Sequence, residues 1–217
     1  MWFTNSRKTH RAARSQLSRA SSRPQLEVLE ERSLLSSGGL ARATDAYGEL
    51  PLSFEANQGQ TDAQVNFLSR GSGYTLFLTP GEAVLALRQG SGIGDQGSGG
   101  DVLHMQLVGA NAAPQVTGLD ALSGRSNYLV GNDPTEWHTD VSNYGRVEYQ
   151  GVYPGVDLVY YGNQRQLEYD FVVAPGADPR SIRLAFDGAE TTTLDDKGNL
   201  ILHAAGGDVI EHAPIIY

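Results

Sequence analysis

The stretch "DLVYYGNQRQLEYDFVV" (Asp157–Val173) sets apolar, aromatic runs on either side of a polar centre, Gly162 to Gln166. In the second run Leu167, Tyr169, Phe171 and Val173 alternate with Glu168, Asp170 and Val172, the period-two pattern of a strand with one buried face. Val156, Leu158 and Tyr160 do the same on the run before. The link Gly162–Asn163–Gln164–Arg165 offers a Gly and an Asn for positive φ, as a tight hairpin needs. The stretch reads as an antiparallel hairpin in which Arg165 pairs with Glu168 or Asp170, at a gain of about 0.2–1 kcal/mol. Folding explains nearly every residue in it. Tyr161, beside Arg165, is the one left over, and Tyr with Arg is a common binding pair. Tyr161, Arg165, Glu168 and Asp170 are therefore the first candidate contact surface.

Moving outward, the same period recurs. Tyr74–Thr79 and Glu82–Arg88 are apolar-rich runs separated by Pro80–Gly81 and read as an antiparallel pair. "DVLHMQLVGAN", "SNYLVGN", "GRVEYQGVYPGVDLVYYG", "SIRLAFDGAE", "GNLILHAAGG" and "VIEHAPIIY" continue the series, each bounded by Gly, Pro, Asn or Asp. Twenty-six Gly and nine Pro in 217 residues fit many turns and short strands. With no helical run of about ten residues between the strands, the expected fold is an all-β antiparallel sandwich, jelly-roll-like or two-sheet. Its span is residues 46–217. The chain stops inside an apolar run at Ile215–Tyr217, which reads as a fragment boundary.

The head is different. Residues 1–24 carry six Lys and Arg and no acid, are rich in Ser, and cannot bury much. The next stretch, "QLEVLEERSLLSSGG", has a partial helical stripe at Leu26, Leu29 and Leu34, ended by Gly38–Gly39. Residues 1–45 thus read as a disordered basic leader with one short helix, for targeting or as a linker. From Ala41 onward nine Lys and Arg face twenty-two Asp and Glu, about −13. A body this acidic repels nucleic acid. No run of about 18 apolar residues is present, so no membrane-spanning helix is expected. The absence of cysteine rules out disulfides and thiolate chemistry.

Several motifs bear on chemistry. Gly92, Gly94 and Gly97 match G-x-G-x-x-G, but a loop and a strand follow where a phosphate-binding helix is required. "TLDDKGNLI" lacks the ligand spacing of a calcium loop and suits a turn between strands. His203 and His212, facing each other across the last hairpin with Glu211 nearby, would make a metal cluster conceivable, but surface histidines on strands are commoner. Glu168 and Asp170, at i and i+2 on one strand face about 7 Å apart, have a spacing glycosidases use, and equally suit a solvated face. In "FEANQGQTD" (54–62), Glu55, Asn57, Gln58 and Gln60 crowd a short stretch; bonding to loop backbone is the expected role, with Asn57 and Gln58 as a minor candidate contact. No catalytic, cofactor-binding or metal-binding residue is assigned.

Three longer segments carry a family likeness: "LPLSFEANQGQTDAQVNFLSRGSGYTLFLTP" (50–80), "SNYLVGNDPTEWHTDVSNYGRVEYQGVYPGVDLVYYGNQRQLEYDFVVAPGADP" (126–179) and the closing "HAPIIY". They resemble the uncharacterised N-terminal domain of bacterial SBBP-repeat proteins, large exported chains whose following repeats form β-propellers. The resemblance covers about residues 47–217. It implies a β-rich, non-catalytic structural or interaction module at the cell surface or outside the cell, with downstream β-propeller repeats as its partner. "RPQLEVLEERSLLSS" looks like the leader of some bacterial surface proteins, in keeping with export. Two other readings stand beside this one. A carbohydrate-binding module would use Trp137, Tyr144, Tyr149, Tyr153 and Tyr161 as a row of exposed rings on polysaccharide or a surface protein. A degenerate glycoside hydrolase would use Glu168 and Asp170.

Overall fold

The structure, a computed structural model, describes residues 50–87, 100–205 and 207–217. The expected helix near Leu26–Leu35, the leader around it and the glycine motif at 92–97 lie outside those residues. Among the described residues the chain is all β, with thirteen strands and two single-turn 3-10 segments. The strands are β1 (Phe54–Ala56), β2 (Phe67–Gly71), β3 (Tyr74–Leu78), β4 (Glu82–Leu87), β5 (Val102–Leu107), β6 (Gln115–Tyr128) and β7 (His138–Tyr153). They continue as β8 (Val156–Gly162), β9 (Leu167–Val173), β10 (Leu184–Asp187), β11 (Thr191–Leu194), β12 (Leu200–Ala204) and β13 (Gly207–Glu211).

Ten strands make one antiparallel sheet in the order β10-β5-β4-β3-β2-β1-β7-β8-β9, with β6 paired to β7. The long β7 decides its shape. β6 pairs along β7 from Tyr128 opposite His138 to Gln115 opposite Gln150. β1 meets β7 at Asn143 and Tyr144, while β8 takes the same strand from Val147 onward. β6 takes one edge of β7, while β1 and β8 share the other in succession, and the two halves that branch there share one core. Leu52, Phe54, Leu76, Leu78 and Met105 from the β1–β5 half pack with Val147, Tyr149, Leu158 and Tyr160 from the β7–β9 half. Tyr153, at the end of β7, closes the curl by donating its hydroxyl to Arg183 O at 3.0 Å, beside the β5–β10 edge. The two layers of the expected sandwich are thus one curled sheet. A separate three-stranded sheet, β11-β12-β13, follows it.

The hairpin is where the sequence places it. β8 and β9 pair without interruption from Val156 opposite Val173 to Gly162 opposite Leu167. Gly162 has φ 140°, and a Cβ there would lie 2.2 Å from Gln166 O, so glycine is required. Asn163 departs from expectation, since it is not among the residues with positive φ. Its Oδ1 instead accepts from the backbone N–H of Arg165 and of Gln166, both at 3.0 Å, an Asx-type turn that makes the same bend. The rings are core. Tyr149, Tyr160, Tyr169 and Phe171 run across β7, β8 and β9 at centroid spacings of 5.8, 6.1 and 5.9 Å, in edge or tilted geometry.

β3 and β4 form the pair expected at Tyr74–Thr79 and Glu82–Arg88, with Thr79 Oγ1 accepting from Glu82 N in the turn. "SNYLVGN" is corrected. Its first three residues close a strand that began at Gln115, and Leu129–Asn132 belong to the turn. "VIEHAPIIY" is corrected too: the ladder stops at Glu211, three residues before Pro214, and His212 onward lies outside any sheet.

Candidate functional site

The outward face of β8 and β9 gathers three of the expected contact residues. Tyr161 lies opposite Glu168, and Val159 opposite Asp170, so both acids share the solvent side with Tyr161. Asp170 Oδ2 accepts from the Tyr161 hydroxyl at 3.1 Å and from the Tyr217 hydroxyl at 2.6 Å. Partial burial, then the bond to Asp170, push the Tyr161 hydroxyl up to about 12. Asp170 is therefore occupied by two phenols, a pairing across 47 residues for Tyr217 that no local pattern announces. Glu148 lies opposite Val159, and Asp157 opposite Val172, extending the acidic face inward along the sheet. Arg165 sits in the exposed turn at the hairpin tip.

Asn57 and Gln58 do not join them. The hairpin tip meets the segment before β1, where Gln164 N donates to Leu50 O and Leu52 N to Gly162 O. Asn57 and Gln58 follow β1 at its other end. Asn57 Nδ2 donates to Asp62 O and Val65 O, both at 2.8 Å, and its Oδ1 accepts from Gly59 N. Gln60 Nε2 donates to Ala56 O at 2.8 Å. These amides tie loop backbone, as the sequence suggests. Beside them an open groove of about 350 Å³ is lined by Thr61, Asp62, Val65, Phe77, Glu82 and Val84, among others. Glu82 at its rim faces His104 Nδ1 at 3.1 Å.

Glu55 is corrected: expected to bond loop backbone with its neighbours, it sits on β1 and gathers a side-chain cluster. Glu55, in the middle of the three-residue β1, is only 8% exposed. Its two carboxylate oxygens accept from the Arg70 guanidinium and from the Tyr128 hydroxyl, and Arg70 also lies over the Tyr128 ring, 5.4 Å from its centre. Burial and the neighbouring carboxylate both raise the Tyr128 hydroxyl above its ordinary range. Asn143, opposite Glu55 on β7, accepts from Ser126 Oγ at 3.3 Å. The group pins the far end of the β6–β7 hairpin to β1 and β2. Glu55 between Phe54 and Ala56 was the available signal, because a carboxylate in a central strand needs partners.

The conceivable pairing of His203 with His212 is not made, in line with the preferred reading of His203 as a strand-surface histidine. The register sets His203 opposite Asp208, and His212 lies beyond the ladder. His203 Nδ1 is 2.8 Å from Asp208 Oδ1, and its Nε2 is 3.0 Å from Thr193 Oγ1. This is the order of a hydroxyl–imidazole–carboxylate relay. It lies on an exposed sheet face, open to water. Among the described residues no group of three or more His, Cys, Asp or Glu is placed to hold a metal ion. "TLDDKGNLI" forms the expected turn: Asp195 Oδ1 accepts from the backbone of Lys197 and Asn199, which holds its carboxyl below the usual range.

The five rings proposed for sugar binding do not form an exposed row. Tyr149 and Tyr153 are buried, and Tyr144 packs edge-on against Phe67. Tyr161 is held by Asp170, and Trp137 is half-buried in the β6–β7 turn.

A curled antiparallel sheet followed by a small three-stranded sheet defines an all-β domain. Residues 54–217 match the profile of a family described as a domain of unknown function, DUF7948, and the chain belongs to that family. No match was found among curated proteins or among solved structures.

Proposed function

We propose that the chain is a non-catalytic interaction module of an exported or cell-surface bacterial protein, and that it docks through its C-terminal region on β-propeller repeats. The observation that carries this reading is where apolar surface is left uncovered. Leu194, Ile210, Ile215, Ile216 and Tyr217 are 72%, 52%, 84%, 97% and 95% exposed, all on the C-terminal sheet or just after it. The register puts Leu194 and Ile210 on opposite faces of the small sheet, so the contact is assigned to the Ile210 face and residues 215–217, where exposed apolar side chains favour a protein partner. The resemblance of residues 50–80 and 126–179 to the domain that precedes SBBP repeats supplies the partner. On this reading Glu168 and Asp170 are surface acids, and the hydroxyl–imidazole pair at His203 is a cross-strand tie.

The test is a chain in which SBBP-type propeller repeats follow Tyr217, compared with the chain alone by amide exchange. Docking predicts slower exchange at Ile210 and Ile215–Tyr217 when the repeats are present. Identical exchange in both proteins would end the reading.

A further inference from the structure

Among the described residues, three strands of the main sheet pair on one side only: β6, β9 and β10. Natural sheets protect such edges by shortness, bulges, proline or lysine, because an open row of N–H and C=O groups invites another strand. β10 is four residues long. β6 is broken by register shifts at Ala121/Arg125 and Ser126/Tyr128, with Asp120 in the left-handed region at φ 55°. β9 has none of these devices. It is seven residues of unbroken ladder, without proline, lysine or arginine, and it exposes Val172 and Val173.

What crosses β9 is a light strap. Tyr169, on the inward face, donates its hydroxyl to Glu211 Oε1 at 2.7 Å. Asp170, on the outward face, accepts from Tyr217 at 2.6 Å. The residues between these anchors, 212–216, therefore pass outside the open edge in mid-strand. No backbone hydrogen bond joins them to β9 among the described residues, and Ile215 and Ile216 remain almost wholly exposed.

We propose that the open edge of β9 is a docking site for an extended partner strand in which basic residues alternate with apolar ones. Added antiparallel to β9, such a strand would set its apolar side chains beside Leu167, Tyr169 and Phe171. Its basic side chains would stand beside Glu168 and Asp170, in front of Asp157 and Glu148. Backbone pairing supplies affinity and the alternation supplies selectivity. A second copy of this chain is the poorer occupant. β9 paired with its own copy about Asp170 sets that carboxylate opposite itself, and like charges directly opposed destabilise a sheet. The inference does not depend on a propeller partner, which would contact the C-terminal sheet.

The experiment titrates the full chain with a short peptide alternating Lys with Val, Phe or Thr. Controls are the same peptide with Glu for Lys, and one of equal charge with Pro at alternate positions. The Lys peptide is expected to slow amide exchange across Leu167–Val173 and to bind less well as salt rises. Tyr217→Phe, which frees the outer anchor of the strap, is expected to tighten it several-fold. Lack of protection of β9 by the Lys peptide in both wild type and Tyr217→Phe overturns the proposal. So does equal binding of the Glu peptide, or of the Pro peptide, which would reduce the contact to surface charge. Self-association of the chain alone that shields β9 would replace the partner strand with a second copy.

Discussion

The curled ten-stranded sheet and the three-stranded sheet after it are built from similar strands, yet they hold their apolar residues differently. The large sheet buries Leu52, Phe54, Leu76, Leu78, Val147, Val156 and Leu158 completely. In the small sheet Leu202 is the one buried side chain among the described residues, and all four residues of β11 are exposed. Burial is the main favourable term in folding, so the two regions are expected to open at different free energies. The large sheet is the scaffold. The small sheet, tied on through Glu211 and Tyr169, is the part free to respond to a contact.

Substitutions can break this contrast. Leu158→Ala, a deletion in the shared core, should cost about 2–5 kcal/mol and move the global urea transition. Leu202→Ala should open β11–β13 while leaving that transition nearly in place, because its cost is capped by the free energy docking the small sheet. Equal shifts from the two variants would show that the sheets unfold together.

Glu55→Ala comes next in size. It removes the acceptor shared by Arg70 and Tyr128 and should cost about 1–3 kcal/mol, read by denaturation. The exchange it accelerates should centre on the β6–β7 turn, with β12 and β13 unchanged.

A smaller effect depends on pH. Burial raises the Glu211 carboxyl above its ordinary value, although the Tyr169 hydroxyl pulls the other way. The folded state then holds this proton more tightly than the unfolded chain does. Its contribution is complete below the unfolded carboxyl range, about 4.3, and is lost as pH rises through the folded value. The docking of β11–β13 should therefore weaken as pH climbs from the acid side towards neutrality. Glu211→Gln should remove that dependence in denaturation curves recorded across the range. An unchanged pH profile in the variant would assign the dependence to another group.

Tyr161→Phe is the mildest change. It deletes one of two phenols on Asp170 at a partly exposed position, so stability should alter by no more than about 0.5 kcal/mol. In an ultraviolet titration the variant should lose one of the two tyrosines raised to about 12, leaving Tyr74, which burial pushes up to the same range.

Much of the scaffold is legible residue by residue. Leu167–Val173 alternates because one face meets the core, and Gly162 marks its turn because a side chain would strike Gln166 O. β6 is not legible. It lies at an edge, is solvated on both faces for much of its length, and owes its conformation to pairing with β7. Single curled sheet and two-sheet sandwich share one alternation pattern, which records burial and not the route between layers. The candidate site divides in the same way. Tyr161, Glu168 and Asp170 share a face through i, i+2 spacing within one hairpin. Glu55 meets Arg70 and Tyr128 across 15 and 73 residues, and Asp170 meets Tyr217 across 47, so only the fold brings them together. Asn57 and Gln58 stand out by composition, and the loop accounts for them: Asn57 binds its backbone, and Gln58 N donates to Gln60 Oε1.

Residue-resolved amide exchange of the unliganded chain under native conditions tests the contrast most directly. The account predicts that amides of β12 and β13 exchange through an opening well below the global unfolding free energy, while those of β7 and β8 exchange only through global unfolding. A single common opening free energy for all four strands would contradict it.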